Sequence, residues 1–345
     1  MAESLKKVYD EYFETVTKQE KGLLENLPDT YIYRDILNGL IGDESHFGKL
    51  DISSQRCYLF SGDSGNGKHT LADAFVQSVC DFNSSFGNSR RIVMGAADFM
   101  ESGQIVKDSV QDHIAAIFQS AKGYINSAFG DAFIVFDEME LYPELFQVTS
   151  AIYESIEEYS DARLYVILIT EDHKSFCRDL LNSVFVCRCN RPSKRQRERF
   201  IKSNLRWNVD DWDDPDGDMQ RTINVHFLGG SYEDAAEKTE GFSYRDLSWL
   251  VISLRAAAAC KLSLSTLDAD VYIDIDKDTL EDYIDAYRNT SESGQISFIP
   301  YANMSMGMPA ATKSDSSLMS KHPDDMSVDE RLEFIFQVGS YNENN

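Results

Sequence analysis

The sequence predicts an α/β protein built on a doubly wound parallel sheet, and three observations support this fold class. First, short runs that are apolar, or apolar after a single arginine at residue 91, recur at residues 57–60, 91–94, 132–136, 164–169 and 184–187. Such runs are typical of parallel strands that helices cover on both faces. Second, the segments between most of these runs carry apolar residues at helical spacing, so strands alternate with helices. Third, glycine-rich or acidic residues follow several runs, where open α/β sheets bind their ligands.

Length and charge limit the possible functions. The chain has 345 residues, 42% of them hydrophobic, which is enough for two adjoining cores. Its formal net charge of -25, from 58 acidic and 33 basic residues, repels nucleic-acid backbones and anionic membranes. No apolar run approaches the roughly 20 residues of a membrane span. We therefore expect neither a nucleic-acid partner nor a membrane.

The six cysteines show no C-x-x-C pair, and no secretory leader precedes them. We expect reduced thiols in a cytoplasmic protein. Cys187 and Cys189 would face the same side of a strand, but the sequence offers no nearby ligands to complete a metal site.

In the N-terminal region, residues 1–34, the sequence predicts a helix over residues 4–27. Pro28 ends this helix. Its apolar positions share one helical face. They are Leu5, Val8, Tyr9, Tyr12, Phe13 and Val16. Residues 29–55 contain a shorter helical pattern and then a linker to the first strand.

A glycine-rich loop follows the first apolar run. Its residues are Gly62, Asp63, Ser64, Gly65, Asn66, Gly67, Lys68, His69 and Thr70. Gly62, Gly67 and Lys68 have the G-x-x-x-x-G-K spacing of a phosphate-binding loop, in which backbone N–H groups surround phosphate oxygens and the lysine contacts the outer phosphates. The following helix points its N-terminus at the same anion. The alternative, a strand-to-helix turn with a chance lysine, does not explain the complete spacing.

One loop position departs from this motif. His69 stands where a Ser or Thr would hold Mg²⁺, and Thr70 comes one residue later, about 100° further around the helix. Asp137 and Glu138 follow the apolar run 132–136, at a strand end where an α/β sheet places its chemistry.

The C-terminal part shows three further patterns. Residues 210–218 hold six aspartates, but a calcium loop would place Trp212 and Ile223 at ligand positions, so a solvated acidic loop is the better interpretation. Helices predicted over residues 232–264 and 277–288 indicate a small α-helical domain. Beyond it, Ser-, Met- and Gly-rich sequence predicts a flexible tether, and a capping box at residues 327–330 begins a short C-terminal helix.

The order of these motifs resembles that of the AAA+ ATPases, and of the AAA clade in particular. The resemblance covers about residues 35–289, and rests on the loop, the Asp137-Glu138 pair, Thr170, Pro192 and the run at residues 239–247. It implies a RecA-like P-loop NTPase domain, a hexameric ring, and ATP-driven remodelling or assembly of a protein partner.

The resemblance divides the chain into four regions. Residues 1–34 form the N-terminal helix and residues 35–203 the nucleotide-binding domain. Residues 204–289 form the helical lid, and residues 290–345 the tether and C-terminal helix.

The resemblance also implies roles for single residues. Lys68 would hold the outer phosphates of ATP, and Asp137 would orient Mg²⁺, with Thr70 as a further metal ligand. Glu138 would polarise the attacking water, and Thr170 would sense the γ-phosphate.

Two further candidates are less specific. Arg245 is either a second sensor of nucleotide or a solvated helix arginine. Ile41 is a candidate adenine contact, because the segment that leads to the first strand often borders the base in nucleotide-binding folds.

The sequence departs from the family at three places. His69 removes the metal-binding hydroxyl. Residues 182–184 lack the inter-subunit arginine, while Arg178 and Arg188 lie nearby but out of register. Ile105 and Val106 stand where the clade has a pore-loop aromatic residue.

Two functions therefore stay open. One is an ATPase whose hydrolysis is slow or depends on a partner, acting as a homo- or hetero-oligomer. The other is a non-catalytic scaffold subunit that uses ATP structurally. A DNA-related activity, suggested by the basic cluster at residues 194–199, is disfavoured by the net charge.

Overall fold

The fold was analysed in a computed structural model of the chain. The structure describes residues 2–19, 22–27, 33–42, 56–101, 104–105, 110–128, 130–159, 161–210, 220–228, 230–261 and 271–292. The predicted acidic loop beyond Asp210, and the tether and C-terminal helix beyond residue 292, lie outside these residues. Met1–Arg288 forms one compact unit, to which the following description refers.

The regular elements alternate along the chain as the sequence predicts. The strands are β1 (Glu14–Thr15), β2 (Cys57–Ser61), β3 (Arg90–Met94), β4 (Met100–Glu101), β5 (Gln104–Ile105), β6 (Ala132–Phe136), β7 (Leu164–Thr170), β8 (Phe185–Arg188), β9 (Arg206–Asp210), β10 (Gln220–Leu228) and β11 (Val271–Asp276). The helices are α1 (Ala2–Tyr12), α2 (Tyr33–Gly42), α3 (Lys68–Phe82), α4 (Val110–Ala128), α5 (Leu145–Glu158), α6 (Arg178–Ser183), α7 (Lys194–Asn204), α8 (Tyr232–Lys238), α9 (Tyr244–Lys261) and α10 (Lys277–Glu292).

The central sheet has the strand order β1-β3-β6-β7-β2-β8. All neighbours pair in parallel except β1, which is antiparallel to β3. Every residue of β2, β6 and β7 is buried. The predicted doubly wound parallel sheet is therefore confirmed. Because Ser61 pairs with Thr170, β2 and β7 end at the same edge, and the phosphate-loop residues begin there.

Two hydrophobic cores cover the two faces of this sheet. One contains α1, α4 and α5, with Phe136 and Leu168 pointing into it from the strands. The other contains α2 and α3, with Phe60 and Val135 from the strands. This layered arrangement holds the strand ends rigidly at the edge where the loop lies.

The predicted helix over residues 4–27 is wrong after Tyr12. The chain becomes extended there, and Glu14 and Thr15 pair with Arg91 and Arg90 of β3. Thr15, Val16 and Thr17 are β-branched and favour a strand. The N-terminal region is thus part of the sheet as well as a helix.

The predicted all-helical lid also needs correction. Residues 204–289 include a three-stranded sheet with the order β11-β10-β9. The alternation of Ile223, Val225 and Phe227 with polar residues fits a half-buried strand. The helix predicted over residues 232–264 is two helices, α8 and α9, separated by a turn in which Gly241 has φ 85°. The second predicted helix is present as α10.

The described cysteines are Cys57, Cys80, Cys177, Cys187 and Cys189, and all five are buried and free. Burial raises the pKa of Cys80 and of Cys189 to about 11, so both thiols stay neutral near pH 7. Among the described helices, none combines the length and the apolar content that crossing a bilayer requires.

The corrected N-terminal region makes a testable prediction about stability. Phe13 is buried and its ring lies 5.2 Å from that of Tyr124, whereas the neighbouring Tyr12 is 54% exposed. Phe13→Ala should lower the free energy of unfolding by about 3–5 kcal/mol. Tyr12→Ala, the matched control, should change it by about 0.5 kcal/mol or less. Equal effects in urea unfolding curves would show that residues 13–17 do not pack on the sheet.

Candidate functional site

The glycine-rich loop joins β2 to α3 at the carboxyl edge of the sheet. Gly62, Gly65 and Gly67 have φ values of 147°, 78° and 80°, which only glycine adopts without strain. A Cβ atom at Gly62 would lie 2.1 Å from the carbonyl oxygen of Cys189. The loop can therefore lie against the end of β8 only because position 62 has no side chain.

Lys68 begins α3 and is buried, with 6% of its surface exposed. Its Nζ donates to the carbonyl oxygens of Gly62 at 2.5 Å and Asp63 at 3.2 Å. Asn66 is also buried, and its Oδ1 has no hydrogen-bond partner among the described residues. A buried ammonium group that is held by its own loop is positioned to receive an anion.

The loop forms one wall of a cleft of about 260 Å³. The predicted site residues that line it are Ser64, Gly65, Gly67, Lys68, His69, Thr70, Asp137, Glu138, Thr170 and Arg245. Residues that were not assigned a site role also line it, namely Glu140, Ile169, Glu171, Tyr244 and Ser248. The structure therefore brings together candidates from the loop, from two strand ends and from the lid.

His69 and Asp137 are in direct contact within this cleft. Nε2 of His69 donates to both carboxylate oxygens of Asp137, at 2.8 Å and 2.9 Å. The contact joins the first turn of α3 to the residue after β6. The carboxylate predicted to orient a metal ion is thus already engaged by a side chain of the loop.

This contact changes the pKa of both groups. The hydrogen bond to Asp137 raises the pKa of His69, and outweighs the opposing effects of burial and of Lys68. Burial acts to raise the pKa of Asp137, but the hydrogen bond and charge of His69, with smaller contributions from the N–H of Glu138 and from Arg91, bring it below its ordinary value. At any pH between these two pKa values, His69 is protonated and Asp137 is ionised, so the two side chains form an ion pair.

Glu138 has a left-handed backbone, with φ 48° and ψ 46°. Its N–H donates to Oδ1 of Asp137 at 2.8 Å, while its side chain is exposed in the cleft. A non-glycine residue in this conformation is held under strain, a condition that is concentrated at functional sites. The strained turn leaves the Glu138 carboxylate accessible to solvent and to a ligand.

Thr170 ends β7 and is fully buried. Its hydroxyl lies 2.9 Å from Oε2 of Glu140 and 2.9 Å from the carbonyl oxygen of Asp172. The same Glu140 oxygen accepts the backbone N–H of Glu171 at 2.9 Å. Glu140 therefore connects the ends of β6 and β7, a role that sequence reasoning missed because the contact spans 30 residues.

The lid residues meet the loop through two arginines. The N–H of Arg245 donates to the carbonyl oxygen of Gly65 at 3.0 Å, and its Nη1 donates to Oγ of Ser64 at 3.2 Å. Arg191 donates to Asp63 at 3.2 Å and to the carbonyl oxygen of Gly241 at 2.9 Å. Arg245 is exposed and contacts the loop through both its backbone and its side chain, and its role as a second sensor of nucleotide stays a prediction.

Ile41 lies outside this cleft, contrary to its prediction as an adenine contact. It lines a second cavity of about 270 Å³ together with Arg56, Asp131 and Arg163. These three residues precede β2, β6 and β7, so the cavity is at the amino edge of the sheet, opposite the loop. The reason is that α2 packs along α3 and places Ile41 in the core at that end.

The positions expected to carry inter-subunit arginines end α6. Asn182 is exposed and Val184 is buried. Arg178 and Arg188 are both exposed to solvent, at the start of α6 and the end of β8. Ile105 lies in the β4–β5 hairpin, and Val106 is outside the described residues.

The residues around Asp137 do not fit a magnesium ion. At nucleotide sites, proteins usually hold magnesium with one or two carboxylates, and waters and substrate phosphates supply the remaining ligands. Magnesium requires near-octahedral oxygen ligands, and here an imidazole uses both oxygens of the carboxylate that the sequence analysis assigned to it.

Comparison with known proteins gives similar folds rather than similar sequences. The FIGL-1 AAA domain in complex with ADP is 11% identical, over 86% of this chain and 98% of that chain, with a TM-score of 0.50. The chain has the fold of an AAA domain. Structures of katanin and of C. elegans PCH-2 are 15% and 13% identical, each with a TM-score of 0.49. They cover 82% and 81% of this chain, and 90% and 76% of their own chains.

No family model matches the sequence, and no curated protein matches it. At identities this low, the similarity establishes the AAA fold alone.

The His69–Asp137 contact makes a prediction about protonation. Asp137→Asn should lower the pKa of His69 towards its ordinary value of about 6.5, because the carboxylate that favours the imidazolium is lost. NMR titration of the nucleotide-free chain measures this pKa, with His69→Gln assigning the signal. Asp73→Asn is the matched control, because Asp73 has the smallest of the resolved effects on His69. If both variants shift the pKa equally, the hydrogen bond is absent in solution.

The same pKa shifts determine how the stability of the folded chain changes with pH. Because folding raises the pKa of His69, the stabilisation that His69 contributes is fully present below about pH 6.5 and is lost as pH rises through the folded pKa. Asp137 has a lowered pKa, so its contribution is lost as pH falls through that value. The stability difference between wild type and His69→Gln should accordingly shrink above neutral pH.

Proposed function

We propose that the chain is an ATP-binding protein of AAA type that remodels or assembles a protein partner. One observation carries this proposal: a buried loop lysine, a strand-end acid pair and a lid arginine line the same cleft. A fold solved with ADP in FIGL-1 supports an adenine nucleotide as the ligand. Oligomerisation, as a hexameric ring of identical chains or with other subunits, belongs to the proposal, as does a cytoplasmic location.

Each group in the cleft has a task in this proposal. The loop N–H groups and Lys68 hold the phosphates, since a buried ammonium group and backbone donors together bind anions. The exposed Glu138 carboxylate orients the attacking water. Thr170 is the candidate sensor of the terminal phosphate, a task for which its hydroxyl must first leave Glu140 and the carbonyl oxygen of Asp172. Arg245 belongs to the lid and contacts the loop, so it couples nucleotide binding in the loop to the position of the lid.

Hydrolysis by the isolated chain is expected to be slow. His69 engages Asp137, so the group that would position a metal at the phosphates is occupied. An arginine finger supplies about 10³–10⁵ in rate, and residues 182–184 contain none. We therefore propose that a partner chain stimulates hydrolysis by supplying an arginine to the cleft. This arginine is Arg178 or Arg188 of a second copy of the chain, or belongs to a different protein.

A second candidate function is a scaffold subunit that holds nucleotide without turning it over. The His69–Asp137 contact favours this candidate, whereas the accessible Glu138 carboxylate favours the ATPase. Both candidates require nucleotide binding, so a binding test examines what they share and a turnover test separates them.

Nucleotide binding should depend on Lys68. Lys68→Ala should reduce the affinity for ADP by at least about tenfold, since the buried charge that faces the phosphates is removed. Isothermal titration calorimetry measures this, with Lys18→Ala as the control because Lys18 is exposed and pairs with Asp81. Unchanged affinity in Lys68→Ala would contradict the phosphate-loop assignment.

ATP turnover should distinguish the motor from the scaffold. If the chain is an ATPase, phosphate release by wild type is slow but falls further in Glu138→Gln, because the amide cannot polarise water. An equal, background-level rate in both chains would favour the scaffold. Brisk turnover by wild type alone would contradict the expected dependence on a partner.

A further inference from the structure

An imidazole of the phosphate loop contacts the carboxylate that was expected to orient a metal ion. His69 is the second residue of α3, and its Nε2 lies within hydrogen-bond distance of both oxygens of Asp137. The Asp137 side chain is 24% exposed and the His69 side chain 55% exposed. A cation approaching the carboxylate from the loop side would therefore meet the imidazole first.

The replacement hydroxyl is poorly placed to restore a metal site. Thr70 follows His69 and points about 100° further around the helix. Within the described residues, no hydrogen bond joins Thr70 to Asp137, and its side chain is exposed. Magnesium gives up its water reluctantly and needs well-placed oxygen ligands. Position 69 offers a nitrogen instead, and Thr70 lines the cleft without a hydrogen bond to Asp137.

The protein itself supplies positive charge where a metal would otherwise neutralise the phosphates. Lys68 is buried in the loop, and Arg245 lines the same cleft with its Nη1 3.2 Å from Oγ of Ser64. The N-terminus of α3, a helix of 15 residues, adds backbone donors and a positive dipole end. These groups can bind a polyphosphate directly.

We propose that the chain binds its adenine nucleotide without magnesium, with His69 taking the place that the metal ion would fill. This inference rests on the nucleotide binding that both candidate functions share, and specifies the form of the ligand as the metal-free nucleotide. It favours the scaffold over the ATPase, because the metal ion that neutralises charge during phosphoryl transfer would be absent. It also explains why the loop retains every backbone feature of a phosphate site while lacking the hydroxyl. The glycines and Lys68 contact phosphate. In the motif, only the Ser or Thr hydroxyl, which this chain lacks at position 69, binds the metal.

Calorimetric titration of the full chain with ADP, in excess magnesium and in EDTA, tests the inference. The wild-type affinities in the two buffers should differ by about threefold or less. His69→Thr, which restores the hydroxyl and releases Asp137, should bind at least about tenfold more tightly with magnesium than in EDTA. His69→Ala releases Asp137 without supplying a ligand, and should show a smaller magnesium effect than His69→Thr.

The outcomes separate this inference from the function on which it rests. A wild-type affinity that falls about tenfold or more in EDTA would overturn metal-free binding and leave the nucleotide site intact. A magnesium effect in His69→Thr no larger than in wild type would overturn the assignment of His69 as the replacement. No ADP binding in either buffer would overturn the proposed function, and this inference with it.

Discussion

Burial of β2, β6 and β7 on both faces is the constraint from which the cleft follows. Their apolar side chains point into two cores, and the polar site residues lie at the last position of a strand, as Thr170 does, or just beyond it. Since the strands are parallel, those ends meet at one edge. Gly62, Asp137 and Glu171 each follow one of these strands, and the chemistry of the site is gathered there by the topology.

The same edge explains why one substitution in the loop matters. His69 lies in the first turn of α3, opposite the end of β6, so a side chain at this position reaches Asp137. A hydroxyl at position 69 would leave the Asp137 carboxylate free for a metal ion, whereas the imidazole of His69 forms hydrogen bonds with that carboxylate. The loop thus has the glycine conformations of a phosphate-binding loop, while a protein side chain engages the carboxylate that was expected to orient a metal ion.

The sequence predicted the parts of the structure that depend on local pattern. The five parallel strands are short apolar runs, and the loop is a fixed spacing of Gly62, Gly67 and Lys68. The parts it missed depend on distant pairing. Residues 14–15 leave the predicted helix because β3 offers an edge, and β10 forms because β9 and β11 flank it. The contact of Glu140 with Thr170 has no local signal, because the two residues are adjacent only across β6 and β7.

A crystal structure of the chain grown with ADP and excess magnesium would test the central claim most directly. The account predicts a diphosphate in the loop beside Lys68, with Nε2 of His69 still donating to Asp137 and no metal ion between them. An octahedral ion bound to Thr70 or Asp137, with His69 turned away from the carboxylate, would contradict it.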